Sequence, residues 1–214
     1  VGKLLKELDR LDLRKDTIVI IWGDHGWKLG EYSDWCKHTN FELDTHVPMI
    51  IADPDYPKGK RVNALTEFVD IYPTLSELCG LPVANDLEGT SVVPLMTDPK
   101  KSWKKAAFSQ YPRPKKIMGY SMRTERYRFI YWCDDRKPDK PIALELYDHE
   151  KDPDENVNIA GDKANADLVK QLTQQWRDGW RKALPPGKEL GLVPEVPLAE
   201  AGGRISEGFE PLGD

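Results

Sequence analysis

Asp24 and His25 stand side by side in Gly23-Asp24-His25-Gly26-Trp27, and Lys37 follows shortly after in Trp35-Cys36-Lys37. A carboxylate is a hard donor for a hard cation, while imidazole is favoured by zinc and its neighbours. Taken alone, the pair suggests a transition metal. Glycine on both sides lets backbone approach closely. An ammonium in a water-excluded site stabilises charge that develops on a reacting oxyanion. Each residue also has a plainer explanation. Asp24 fits a turn, His25 a loop histidine, and Lys15, Lys28 and Lys37 are alike by composition, with a solvated surface as the default.

The elements around these residues favour the chemical reading. Thr17-Ile18-Val19-Ile20-Ile21 is a short β-branched run that predicts a strand buried on both faces, as in a parallel sheet covered by helices. Asp24 and His25 then lie just past its carboxyl end, where open α/β sheets bind ligands. Residues 1–11 place apolar side chains at helical spacing, and 47–52 predict a second strand. The connection from Gly23 to His46 reads as a long loop, of the kind that is usually functional. Val62–Phe68 predicts a short edge strand. A helix follows with Asp70 as N-cap, Pro73 in its first turn, Tyr72, Leu75, Leu78 and Cys79 as its buried face, and Gly80 beyond its end.

From Ala106 the alternation predicts four antiparallel strands near 106–111, 119–124, 127–132 and 144–147. A helix over about 162–181 follows, with Leu168, Leu172, Trp176 and Trp180 on its packing face. Residues 1–99 thus form part of an α/β domain, 100–184 a small α+β subdomain, and 185–214 a tail or surface arm rich in Gly, Pro and Glu. The chain has 214 residues, is 39% hydrophobic and 31% charged, and carries a formal net charge of -5. No dense basic stripe points to nucleic acid, and no apolar run is long enough to span a bilayer. Three widely spaced cysteines predict free or buried thiols. A start at Val1 inside a helix predicts a cut end, so the absence of a signal peptide carries no message.

Gly23-Asp24-His25-Gly26-Trp27, Leu29-Gly30-Glu31, Trp35-Cys36-Lys37, Asn40-Phe41 and Thr45-His46-Val47-Pro48 together resemble the C-terminal half of the type I sulfatases, within them the iduronate-2-sulfatase group. Phe68–Leu75 with Leu87–Ser91, Tyr120–Thr124, and Glu145–Asp148 with Asp152-Pro153 and Glu155-Asn156 agree in order. The resemblance runs from about Val1 to about Leu184. It implies an alkaline-phosphatase-like α/β sandwich with a small C-terminal subdomain, and hydrolysis of sulfate esters by a formylglycine nucleophile with bound Ca2+. The Cys-x-Pro-Ser-Arg context of that nucleophile does not occur here. The nucleophile and the remaining acidic ligands therefore belong to an N-terminal half, a partner this chain needs, and the chain alone should be inactive and prone to associate.

By the same resemblance Asp24 and His25 match metal ligands, and Lys37 matches the lysine on the sulfate. Trp27, Lys28 and Leu29 fall where the substrate pocket is lined, Trp27 offering a flat face to a sugar and Lys28 a charge for a sugar carboxylate or second sulfate. Arg123 is expected to tie the subdomain to the main sheet, His46 to cap or to bond internally, and His149 to be solvated. A sulfated sugar or uronic acid is the implied substrate, and periplasm, secretion or lysosome the implied location. The alternatives are a phosphodiesterase or phosphonate monoester hydrolase of the same superfamily, and a non-catalytic binder of sulfated glycan.

Overall fold

The computed structural model describes residues 1–84 and 86–188, so the expected tail lies outside the described residues apart from 185–188. Helix α1 (Gly2–Arg10) turns Leu5 and Leu8 toward strand β1 (Val19–Trp22). Its exposed side carries the Arg10–Glu7 pair, one turn apart. Val1, Leu4, Leu5, Leu8 and Ile18–Ile21 leave an open apolar groove between helix and strand.

Strand β1 pairs antiparallel with β4 (Met49–Ala52), Ile20 opposite Ile51. The parallel arrangement expected from the apolar run is thus corrected for this pair. Parallel neighbours need a crossover of a dozen or more residues, usually a helix. The connection here holds a short hairpin, β2 (Lys28–Leu29) with β3 (Trp35–Cys36), a 3-10 turn at Glu31–Ser33 and the single-turn helix α2 (Glu42–Thr45), none of them a crossover helix. The chain doubles back, and Gly23 N donates to Pro48 O at 3.0 Å beside the β1–β4 pair.

The edge strand expected over 62–68 does not form; Phe68–Asp70 is a 3-10 turn instead. The Glu67 amide that a strand would have used donates to the Asp70 carboxylate at 2.8 Å. Helix α3 (Ile71–Leu78) follows, with Pro73 in its first turn and Gly80 at φ +65° past its end. Asp70 does not cap it by a side-chain bond. Its carboxylate is buried and accepts from Lys104 at 2.8 and 2.9 Å and from Thr90 N at 2.7 Å. The buried face also differs from the expected one. Pro73, Thr74 and Ser76 are buried while Tyr72 and Cys79 are exposed. Thr74 Oγ1 donates to Asp70 O and accepts from Val92 N, so a polar side chain packs the seam against the segment leading to α4 (Val93–Thr97).

The four predicted strands are present as β5 (Ala107–Arg113), β6 (Ile117–Arg123), β7 (Tyr127–Asp134) and β8 (Pro141–Asp148), in that spatial order and all antiparallel. Alternation gives the sheet two unlike faces. One carries Tyr120, Met122, Phe129, Tyr131, Leu144 and Leu146 against Leu172 and Trp176 of helix α5 (Ala166–Lys182), with Trp176 stacked on Tyr131 at 4.1 Å. Each large apolar side chain sealed there contributes about 1.5–3 kcal/mol. The other face carries Tyr111, Gly119, Ser121, Arg128, Trp132, Glu145 and Tyr147, and it receives the segment 39–45. Cys36, Cys79 and Cys133 are free thiols, as expected.

Candidate active site

The connection between β1 and β4 is built, not slack. Lys28 is 0% exposed, and its ammonium donates to the Asp44 carboxylate, with Thr39 Oγ1 at 3.4 Å. The same Asp44 oxygen accepts from Thr39 N at 2.8 Å. One buried charge pair therefore fastens the hairpin to α2. The expectation that Lys28 meets a sugar carboxylate is corrected: its charge is spent inward, away from solvent. Gly26 sits against the same helix. Its amide donates to Asp44 O at 2.9 Å, and a Cβ there would lie 1.5 Å from Leu43 O, so only glycine fits.

This scaffold brings Asp24, His25 and Lys37 together. His25 Nδ1 donates to Gly26 O at 2.6 Å, which leaves the lone pair on Nε2. Asp24 Oδ2 lies 3.1 Å from Nε2, and Lys37 Nζ donates to Nε2 at 2.6 Å. Asp24 Oδ2 and Lys37 Nζ thus both flank His25 Nε2, whose lone pair accepts from the Lys37 ammonium. The Asp24 side chain is 81% exposed. Lys37 is held between two non-glycine residues in left-handed conformation, Cys36 at φ +69° and His38 at φ +84°. Such geometry costs about 1–3 kcal/mol per residue and persists only where neighbours enforce it. Here the Cys36–Lys28 pairing and the Thr39–Asp44 bonds do so. Trp27 and Leu29 are exposed beside the site, the Trp27 ring stacked on His25 at 5.9 Å.

Composition alone gave no signal for the cluster that seats this corner on the subdomain. Arg128, 2% exposed, donates through Nε to Glu155 at 2.5 Å, through Nη1 to Ser121 at 2.9 Å and through Nη2 to Glu42. Arg123 Nε donates to Glu42 at 3.1 Å, so the ion pair expected of Arg123 is made, but to helix α2 and not to the main sheet. Glu155 also accepts from Glu42 N at 2.8 Å and lies 2.8 Å from His149 Nε2, so His149 is a bonded, largely buried residue and not the solvated one expected. His46 is mostly exposed and is the C-cap of α2, one of the two roles expected of it, its amide donating to Glu42 O at 2.8 Å while its ring pairs with the Glu42 carboxylate at 3.1 Å. Glu42, His149 and Glu155 have the spacing of a metal-binding group. Two guanidiniums already neutralise the two carboxylates there, so the cluster fastens the fold. Burial raises the Glu42 carboxyl, but the His46 bond and the charges of Arg128 and Arg123 outweigh it and hold it well below the carboxylate range. Asn40 completes the seat, its Nδ2 donating to Gly119 O at 3.0 Å.

Known proteins are similar to this chain in sequence and in fold. The chain is 31% identical to a sulfatase from Formosa agariphila over 84% of its length, and 31% identical to human iduronate 2-sulfatase over 80%. It spans only 34% and 43% of those two proteins. A protein solved in complex with its substrate D-glucosamine-2-N,6-O-disulfate superposes with a TM-score of 0.73 at 28% identity, over 88% of this chain and 39% of that one. A phosphonate monoester hydrolase of Agrobacterium radiobacter gives 0.74 at 26% identity, over 86% and 38%. The fold is thus that of the sulfatases, an alkaline-phosphatase-like α/β architecture of which the chain holds the C-terminal part. Residues 30–182 match the family model described as N-sulphoglucosamine sulphohydrolase, C-terminal, and the chain belongs to that sulfatase family.

Proposed function

We propose that the protein containing this chain hydrolyses sulfate esters of a sulfated sugar or uronic acid, with Asp24 and His25 as metal ligands and Lys37 on the sulfate. The convergence of Asp24 Oδ2 and Lys37 Nζ on His25 Nε2 carries the reading. The donor set fits a divalent cation: one hard oxygen on an exposed carboxylate, and one imidazole nitrogen whose lone pair is fixed by the Gly26 bond. Ca2+ takes six to eight ligands, mostly oxygen, so this chain would supply a minority of them and the rest of the protein the remainder. A bound cation polarises the sulfuryl oxygens and lowers the cost of charge developing there. The formylglycine nucleophile belongs to the same missing part.

The chain's own residues do three things in this scheme. Asp24 and His25 fix where positive charge sits. Lys37, set between Cys36 and His38, would turn from His25 Nε2 to a sulfate oxygen when a cation takes that lone pair, and would stabilise the charge that leaves with the ester oxygen. Trp27 and Leu29 present apolar surface to a sugar ring. Lys28 acts from below, by holding the hairpin in place.

The exposed groove between α1 and β1 is proposed as surface covered by the rest of the protein, in line with the share of its relatives that the chain spans. The chain divides at about 99 into an α/β part and a subdomain, and by itself it would be inactive. A secreted, periplasmic or lysosomal location accords with the family, and no described helix is long and apolar enough to cross a membrane. The likeness to a phosphonate monoester hydrolase favours a second reading, hydrolysis of phosphonate or phosphate esters. Paired assays of the whole protein on a sulfated disaccharide and on a phosphonate ester decide between them. The proposed function requires that Lys37→Ala cut turnover of the sulfate ester at least about a hundredfold, the scale of one lost oxyanion donor. It fails if that variant keeps full activity, or if the isolated chain turns over an aryl sulfate above background.

A further inference from the structure

Beside Lys37 lies a second feature that the chemistry above does not use. His38, the next residue, stacks its ring on Tyr111 at 5.4 Å and 9°. The Arg113 guanidinium stands 5.3 Å from the Tyr111 ring centre and 5.9 Å from that of Trp132. Tyr111, Arg113 and Trp132 share one face of the meander, the face on which the segment carrying Lys37 is seated through Asn40 and Gly119. Gly119 is what makes this possible. It faces Tyr111 on one strand and Trp132 on the other, and a Cβ there would lie 2.5 Å from the indole and 2.6 Å from Asn40 Nδ2.

The shelf is cationic as well as aromatic. Arg113 continues into Lys115 and Lys116, both exposed and both in left-handed conformation at φ +66° and +60°. None of the ion pairs among the described residues involves Arg113, Lys115 or Lys116. Nearby arginines behave otherwise: Arg123, Arg126, Arg128 and Arg136 are each matched to a carboxylate. Flat rings give a sugar an apolar face, and a guanidinium offers paired donors to a carboxylate or sulfate.

We propose that His38, Tyr111 and Arg113 form a subsite for a second anionic sugar residue, next along the chain from the one whose sulfate meets Lys37. The substrate is then an acidic oligosaccharide and not a monosaccharide. This rests on the proposed function, in that Lys37 marks the reacting sulfate.

The test is calorimetric titration of the whole protein containing this chain with a sulfated, uronate-containing tetrasaccharide and, separately, with inorganic sulfate. Arg113→Ala, an exposed change, should weaken the tetrasaccharide about tenfold and leave inorganic sulfate unchanged, the scale of one charge-assisted contact. Arg113→Lys should recover only part of that, because lysine keeps the charge without the planar fork. Unchanged tetrasaccharide affinity in Arg113→Ala, or no tetrasaccharide binding by the unsubstituted whole protein, overturns the subsite. Inorganic sulfate binding that survives Lys37→Ala overturns the Lys37 assignment instead, a separate result read on a separate ligand.

Discussion

Two charge clusters involve the connection between β1 and β4, and they are treated in opposite ways. Around Arg128, every carboxylate is matched: Glu42 and Glu155 share two guanidiniums and two histidines, and the Glu155 side chain is 0% exposed. Around His25, Asp24 is open to solvent and no lysine or arginine among the described residues pairs with it; the neutral imidazole beside it lies 3.1 Å away. Buried ions must be paired, because solvent no longer offsets their charge. An ion meant to take a ligand has to be left unpaired and held in position by something else. The contrast teaches that Glu42, Arg128, Lys28 and Asp44 hold the structure, and that the residues they hold are the ones available for chemistry.

The contrast is open to attack by substitution. The largest loss should follow Arg128→Ala, which strands Glu155 and Glu42; unfolding by urea should register about 3–5 kcal/mol. Lys28→Met should come next, at about 2–4 kcal/mol, because Asp44 stays buried with its ammonium gone. If it instead leaves stability intact and weakens sugar binding, Lys28 belongs to the pocket after all.

The dependence on acidity is smaller and has a definite sign. The folded Glu42 carboxyl sits below its usual value of 4.5, so its contribution is fully present above that value. It is lost as pH falls toward the folded pKa, and the Glu42→Gln variant should flatten the loss. Urea midpoints of the two proteins between about pH 5 and about pH 3 measure this. Smallest of all should be Asp24→Ala and Lys37→Ala, each within about 0.5 kcal/mol in stability because both lie outside the buried network. In the whole protein the same two changes should remove activity. A large loss of stability in either would place these residues in the scaffold and collapse the distinction.

Much of the fold was readable from the residues because local pattern decided it. The meander follows from alternation, α5 from its four-residue apolar repeat, and the end of α3 from Gly80. What escaped was set by partners far along the chain. Nothing near Lys28 distinguishes it from Lys37; its burial depends on Asp44, which lies in another element. Residues 62–68 have strand-like composition, but the Asp70 side chain takes the amide a strand would need. His149 looks like a turn residue until Glu155 and Arg123 close around it. The corner of Asp24, His25 and Lys37 was legible as a motif, whereas its geometry was not. That depended on Gly26 and on the left-handed turns at Cys36 and His38, neither of which has a local pattern that fixes it.

Gly119 gives this its sharpest consequence. With room for a hydrogen atom and nothing larger, it is the point where two halves of the chain touch without padding. A joint of that kind has no slack to absorb error. An alanine there would tilt the loop that carries Lys37 instead of merely loosening the sheet, and under the proposed function a distant methyl group would register as lost turnover in a protein that still melts as one unit.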